Sequence, residues 1–204
     1  ASILFISYAY IYLMGNTGLT LASKNAILKA NYIKAKLEPF YPVLFTGKNN
    51  YVAHELIIDC RHFKKEANIT VEDIAKRLID YSFHAPTLSW PVNGTLMIEP
   101  TESESLTEIN RFCDAMIAIF NEIKSIQEGR TSKEDNVLKN APHTLSEITA
   151  NQWNHSYSRE DAAYPLPSLK TQKFWPTVSR INQAQGDRQL ICTCDSSLLS
   201  NKND

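Results

Sequence analysis

Glycine is scarce in this chain, with six among 204 residues. Loops that cradle phosphate need closely spaced glycines, because backbone amides must approach the anion. No GxGxxG, P-loop or GxSxG pattern occurs, which excludes a self-contained nucleotide cradle and a hydrolase nucleophile elbow. Cysteine is sparse too. Cys60, Cys113, Cys192 and Cys194 make no CxxC pair and no spaced ligand set, which speaks against a zinc site and a disulfide scaffold. A reducing, intracellular compartment is the simplest reading. Charge of one sign is also lacking. The 21 Lys+Arg against 22 Asp+Glu give a formal net charge of −1, so no strong field points to nucleic acid or anionic lipid. His54-Glu55 opens no HExxH zinc motif, since residue 58 is isoleucine.

Long apolar runs are missing as well. The opening Ala1–Met14 is apolar and uncharged, but it is too short to span a bilayer and has no basic region before it. Such a run predicts a buried helix over residues 3–14. The first residue is alanine, so the chain is expected to start inside a core helix of a longer protein.

What is present suits a globular fold. Hydrophobic residues make up 43% of the chain and charged residues 21%, which is enough for a core. Gly15 to Gly18 read as a turn. Leu19 to Leu37 then predict an amphipathic helix, with apolar residues recurring at three and four. Tyr41–Thr46 and Tyr51–Asp59 predict two strands of a hairpin around Gly47-Lys48-Asn49-Asn50. His62, Lys64 and Lys65 are expected in a polar loop. Thr70 and Asp73 have the spacing of a capping box, and a helix follows. Thr95–Glu99 predicts a third strand. Ser103 to Glu128 predicts a long helix, with Ser105 and Glu108 at its start and Gly129 at its stop. The fold class expected is α+β, a small mostly antiparallel sheet with packed helices. Beyond Thr131 prolines and aromatics dominate, so an irregular tail ordered by packing over the domain is expected.

The densest polar and aromatic stretch runs from Phe83 to Glu104. His84 has two readings: a proton shuttle or partner for a substrate carboxylate, or a structural loop histidine. Glu99 and Glu102 stay open between a site role and helix-terminus electrostatics, and Glu104 is read as the latter. His143 and His155 have no partner that sequence names.

Three stretches carry a resemblance. The strand is Val52-Ala53-His54-Glu55-Leu56-Ile57-Ile58-Asp59. The long block runs FHAPT, SWPV and GTLMIEPTESE between Phe83 and Glu104. The tail holds Lys139 to Thr144, Tyr157 to Pro167 and Lys173-Phe174-Trp175-Pro176-Thr177-Val178 with Arg180. Together they resemble the glycine decarboxylases, the P proteins of the glycine cleavage system, over nearly the whole chain. Tyr8-Ala9-Tyr10, Asn50 and Cys60 depart from the usual family residues. Asn50 stands at a common glycine site, which asparagine tolerates because it enters the left-handed region.

The resemblance implies the small C-terminal domain and tail of a type I enzyme dependent on pyridoxal 5'-phosphate (PLP). Residues 1–38 would be a helical lead-in from a large domain, 39–130 the α+β small domain, and 131–204 the tail. It implies decarboxylation of glycine and transfer of the aminomethyl group to the lipoyl arm of H protein, with PLP as electron sink. The Schiff-base lysine of the family follows a histidine and precedes a glycine-rich run. Neither occurs here, so it is expected upstream of Ala1, and this chain alone is expected to be inactive. The remaining P-protein domains and a homodimer or two-half pseudo-dimer are implied partners, in the cytoplasm of a bacterium or the mitochondrion of a eukaryote. His84, Thr87, Glu99, Thr101 and Glu102 are the candidates for lining the active-site mouth. Cys192 and Cys194 are a candidate redox pair, with two inert thiols as the alternative. The competing function is a free-standing binding module for a lipoyl carrier or partner subunit.

Overall fold

The computed structural model describes residues 1–189. Cys192 and Cys194 lie outside the described residues. Among those described, a four-stranded antiparallel sheet has the order β1-β2-β4-β3. Its strands are β1 (Val43–Leu44), β2 (Leu56–Asp59), β3 (Thr87–Leu88) and β4 (Thr95–Ile98). The central pair runs in register from Leu56 opposite Ile98 to Asp59 opposite Thr95. Helices pack against this sheet, so the fold is α+β.

Helix α1 (Leu4–Leu37) joins the two helices expected around a turn, and the break shrinks to Gly15 at φ 59°, ψ −177°. Without a Cβ, glycine reaches that conformation cheaply. The arm before the break is not buried as predicted. Ile3, Leu4, Phe5, Ile6, Tyr12 and Leu13 are 67–81% exposed, because no described residue covers them. The far end of α1 does enter the core, through Ala30, Ile33 and Leu37.

The predicted hairpin exists as the β1–β2 pair, with shorter strands. Phe45 has φ 60°, which ends β1. The backbone of Val52 is claimed by a side chain: its N–H donates to Asn31 Oδ1 at 3.0 Å, and its carbonyl accepts from Asn31 Nδ2 at 2.9 Å. Asn50 adopts φ 60°, as its left-handed tolerance allows.

The loop expected around His62 is instead helix α2 (Arg61–Ala67), which buries Phe63 and Ala67 and ends on left-handed Asn68. Helix α3 (Val71–Asp80) starts with the full Thr70–Asp73 capping box. Helix α4 (Leu106–Gln127) starts at Ser105, whose hydroxyl accepts from the Glu108 amide. The reciprocal half of that box is missing, because the Glu108 carboxylate accepts from Arg111 Nε at 2.8 Å. Gly129 closes the helix at φ 73°.

The core joins Leu56, Ile58, Leu96, Ile74, Leu78, Ile119 and Ile123, each essentially inaccessible to water. Burying such a side chain stabilises by roughly 1.5–3 kcal/mol. The tail forms short helices α5 (Val137–Asn140), α6 (Leu145–Ile148), α7 (Arg159–Ala163), α8 (Leu169–Gln172) and α9 (Gln183–Arg188). Leu138, Ala162 and Leu169 are buried, so the tail is held by packing rather than by regular long elements.

Candidate functional site

The stretch that leaves α3 is shaped by unusual backbone. Ser82 has φ 64°, and the Phe83 amide turns back to the Leu78 carbonyl at 3.0 Å. The chain then runs out through His84 to β3, reverses, and returns as β4. The Ser89 amide donates to the Thr95 carbonyl at 2.8 Å across the reversal. Gly94 is required there. Its φ is +80°, and a Cβ would meet Arg61 Cγ at 2.7 Å. After β4, Thr101 is held at φ 58°, an uncommon strain for a β-branched residue.

These turns enclose a cleft of about 410 Å³ between the Phe83–Thr87 segment, the end of β4 and the start of α4. Ile33, Phe83, Ile109 and Phe112 supply apolar walls, and Phe83 meets Phe112 edge-on at 5.4 Å between ring centres. His84, Thr87, Glu99 and Glu104 stand around it. His84 and Glu104 are exposed and make no hydrogen bond among the described residues. Glu108 also reaches the cleft, but Arg111 neutralises it and holds its carboxyl below the usual range. The Arg111 guanidinium lies 3.7 Å over the Phe83 ring, which fixes that wall.

The five sequence candidates divide. His84, Thr87 and Glu99 line this cleft. Thr101 and Glu102 face a neighbouring hollow with His54, and Glu99 borders both. Glu102 is tied down: its carboxylate accepts from Tyr10 Oη at 3.0 Å, and its carbonyl accepts from Lys29 Nζ. Its own amide and Tyr10 hold its carboxyl below the ordinary value. His54 Nε2 lies 4.0 Å from Glu99.

A second polar cluster escaped sequence reading. Arg77 is buried and bonds Glu122 through Nε at 3.1 Å and Nη2 at 2.7 Å, Asp80 at 3.0 Å, and the carbonyls of Asp161 and Ala162. Asp80 accepts from the His143 amide at 2.7 Å and pairs with His143 Nδ1 at 2.8 Å. His143 Nε2 meets Tyr157 Oη at 2.8 Å. Burial pulls the guanidinium down, but Glu122 and Asp80 outweigh it and hold Arg77 above its usual range. Burial raises the Tyr157 phenol. The signal available in sequence was the spacing of Asp73, Arg77 and Asp80, which puts three charges on one helical face. This cluster binds the tail to α3, and Glu122, Tyr157 and Asp161 also border a hollow of about 490 Å³ between α4 and the tail. The buried thiols of Cys60 and Cys113 are pushed up by burial, to about 12 and about 11, so neither is reactive. No group of three or more metal-ligating side chains stands together among the described residues, and no helix there is long and apolar enough to cross a membrane.

An α+β unit with a strained loop, an apolar cleft and an acidic, histidine-bearing rim is the class of structure these residues define. Residues 22–143 match the family model "Glycine dehydrogenase, C-terminal domain", and the chain belongs to that family. It is 60% identical over 194 residues to a glycine dehydrogenase (decarboxylating) of Nostoc punctiforme, covering 95% of this chain and 20% of the relative. A protein of that name from Synechocystis is 59% identical over 195 residues, covering 96% and 20%. One from Thermosynechococcus vestitus is 60% identical over 200 residues, covering 98% and 21%. The chain thus spans about a fifth of the length of the curated relatives it matches.

Proposed function

We propose that this chain works as the C-terminal part of a longer glycine dehydrogenase (decarboxylating), which decarboxylates glycine and passes the aminomethyl group to the lipoyl arm of H protein. The observation that carries this reading is identity near 60% along 95% of the chain to proteins of that name. In this reading residues 1–38 lead in from a larger domain, 39–130 are the small domain, and 131–204 are its tail. His84, Thr87 and Glu99 are the candidates for contact with substrate, while Thr101 and Glu102 shape the adjoining turn. A paired arrangement of P-protein units and a bacterial cytoplasmic setting, or a mitochondrial one in a eukaryote, belong to the same proposal.

PLP, which this activity implies, does not fit the residues of the cleft. No lysine lines it, and a phosphate would meet the Glu99 and Glu104 carboxylates without a cationic partner. We therefore assign this chain a wall of the substrate region and no role in holding the cofactor. The test is glycine–bicarbonate exchange. The 204-residue chain alone is expected to show none, and the long polypeptide carrying it is expected to be active. Exchange by the chain alone would overturn the division of labour.

A further inference from the structure

Helix α3 ends against parts of the chain that lie far from it in sequence. The last carbonyls of a helix have no donor within it, yet each one here from Arg77 to Tyr81 is answered. Those of Arg77, Leu78 and Ile79 accept from the amides of Tyr81, Phe83 and Ser82. The next two are taken by side chains. Lys173 Nζ donates to the Asp80 carbonyl at 2.6 Å from 93 positions away, and Arg111 Nη1 donates to the Tyr81 carbonyl at 3.2 Å from 30 away. The residue after Lys173 adds a third hold, the Phe174 amide donating to Ser82 Oγ at 2.8 Å.

These tail contacts bury little. The Phe174 ring is 76% exposed. Lys173 is half-buried, its Nζ 5.0 Å from the centre of the Trp175 ring, and withdrawing an ammonium from water opposes folding. The Asp80 carboxylate is already engaged by Arg77 and His143, so what Lys173 meets is the C-terminal end of a helix, where a cation suits the dipole. The consequence is geometric. Ser82 sits at φ 64°, a conformation that costs an L residue energy and persists where its surroundings over-determine it. That residue sets the direction of the chain, and His84 follows it by two positions.

We infer that Lys173 is a positioning residue for the cleft: with the Phe174 amide it fixes the left-handed turn at Ser82, and so the place at which His84 joins the cleft wall. Lys173 does not itself line the cleft, so it acts through the turn. The inference rests on the function proposed above for the reaction the cleft serves, and on the contacts at the end of α3 for the hold itself.

The test uses the long polypeptide, in parent form and with Lys173→Met, Lys173→Arg, His84→Ala and the Lys173→Met, His84→Ala pair, held well below the thermal midpoint. Lys173→Met keeps the hydrocarbon stem and removes the donor. It is expected to lower kcat/KM for glycine–bicarbonate exchange about tenfold, and Lys173→Arg, which keeps a cationic donor, to recover most of that. With His84→Ala already present, Lys173→Met lowers kcat/KM no further, because its effect runs through His84. A residue that only stabilised the fold would act equally in both backgrounds. Amide hydrogen exchange, read by mass spectrometry, is expected to be about tenfold faster over residues 81–86 in Lys173→Met and unchanged over 74–78. Unchanged protection over 81–86, additive losses in the paired variant, or no recovery with Lys173→Arg would each overturn the inference. A parent without glycine–bicarbonate exchange removes the proposed function, and the amide comparison then decides the hold by itself. An active parent with additive losses removes only this inference.

Discussion

Asp80 and His143, 63 positions apart, are joined twice: backbone amide to Oδ1 at 2.7 Å and ring Nδ1 to Oδ2 at 2.8 Å. Both side chains are fully buried. The contact ties the segment just after α5 to the last residue of α3, four residues before His84. Asp80 also answers Arg77 at 3.0 Å, so its removal leaves the buried His143 amide and ring without their acceptor and cuts one of the two Arg77 ion pairs, Glu122 keeping the other. Asp80→Ala is expected to lower stability by about 3–5 kcal/mol, read as a fall in the urea midpoint. Asp80→Asn, which keeps a side-chain oxygen to accept from the His143 amide, is expected to lose less than Asp80→Ala.

Asp73 gives a second hold on the tail. Its carboxylate accepts from Arg180 at 2.6 Å and Lys139 at 2.9 Å, besides completing the box with Thr70. Burial raises its carboxyl, but the Thr70 amide, Lys139 and Arg180 together win and hold it below the ordinary value. A carboxyl lowered by folding stabilises the fold above the unfolded value near 3.9, and that contribution is lost as pH falls through the folded value. Asp73→Asn should therefore lose stability at pH 7 and show a shallower decline below about pH 4 than the parent, as followed by thermal midpoints across an acid series.

Lys173 is also lowered by folding, and its linkage has the same sign at higher pH. Its ammonium donates to the Asp80 carbonyl at 2.6 Å, and burial brings it down to about 8 although Asp80 opposes the shift. The unfolded lysine keeps its proton up to about 10.4. Between these values the unfolded state binds more protons, so this group makes stability rise with pH. Relative to the parent, Lys173→Met should flatten the curve between about pH 8 and 10. A parallel curve for parent and variant would contradict the assignment.

The arm before Gly15 exposes Phe5, Ile6, Tyr12 and Leu13 at once. A continuous apolar surface of that kind drives association. The isolated chain is expected to self-associate at micromolar concentration, and Phe5→Ser with Ile6→Lys to shift it toward monomer in sedimentation velocity. A monomeric parent would favour the free-standing binding module over the embedded enzyme segment.

These elements also show what sequence makes legible. The helix from Leu106 and the capping box at Thr70 were readable because periodicity and caps are local. The sheet order was not, because β3 is two residues long and is defined by its partner Leu96–Met97, not by its own pattern. Helix α2 hid behind Arg61, Lys64, Lys65 and Glu66, whose charge suggests solvent while Phe63 and Ala67 carry the packing. The block from Phe83 to Glu104 stood out by composition, yet only the fold separates His84, Thr87 and Glu99 from Thr101 and Glu102. That division follows from the turn at Pro100–Thr101, a backbone event that residue types do not announce. His143 could not be paired from sequence, since its partner Asp80 lies on another element.

The most direct test of the proposed role is kcat/KM for glycine–bicarbonate exchange in the long polypeptide with His84→Ala. His84 lines the cleft, is exposed, and bonds to no described residue, so its loss should leave the thermal midpoint in place. If its ring contacts substrate or moves a proton, kcat/KM falls about 10²-fold. An unchanged kcat/KM, with the fold intact, would contradict the placement of the substrate region in this cleft.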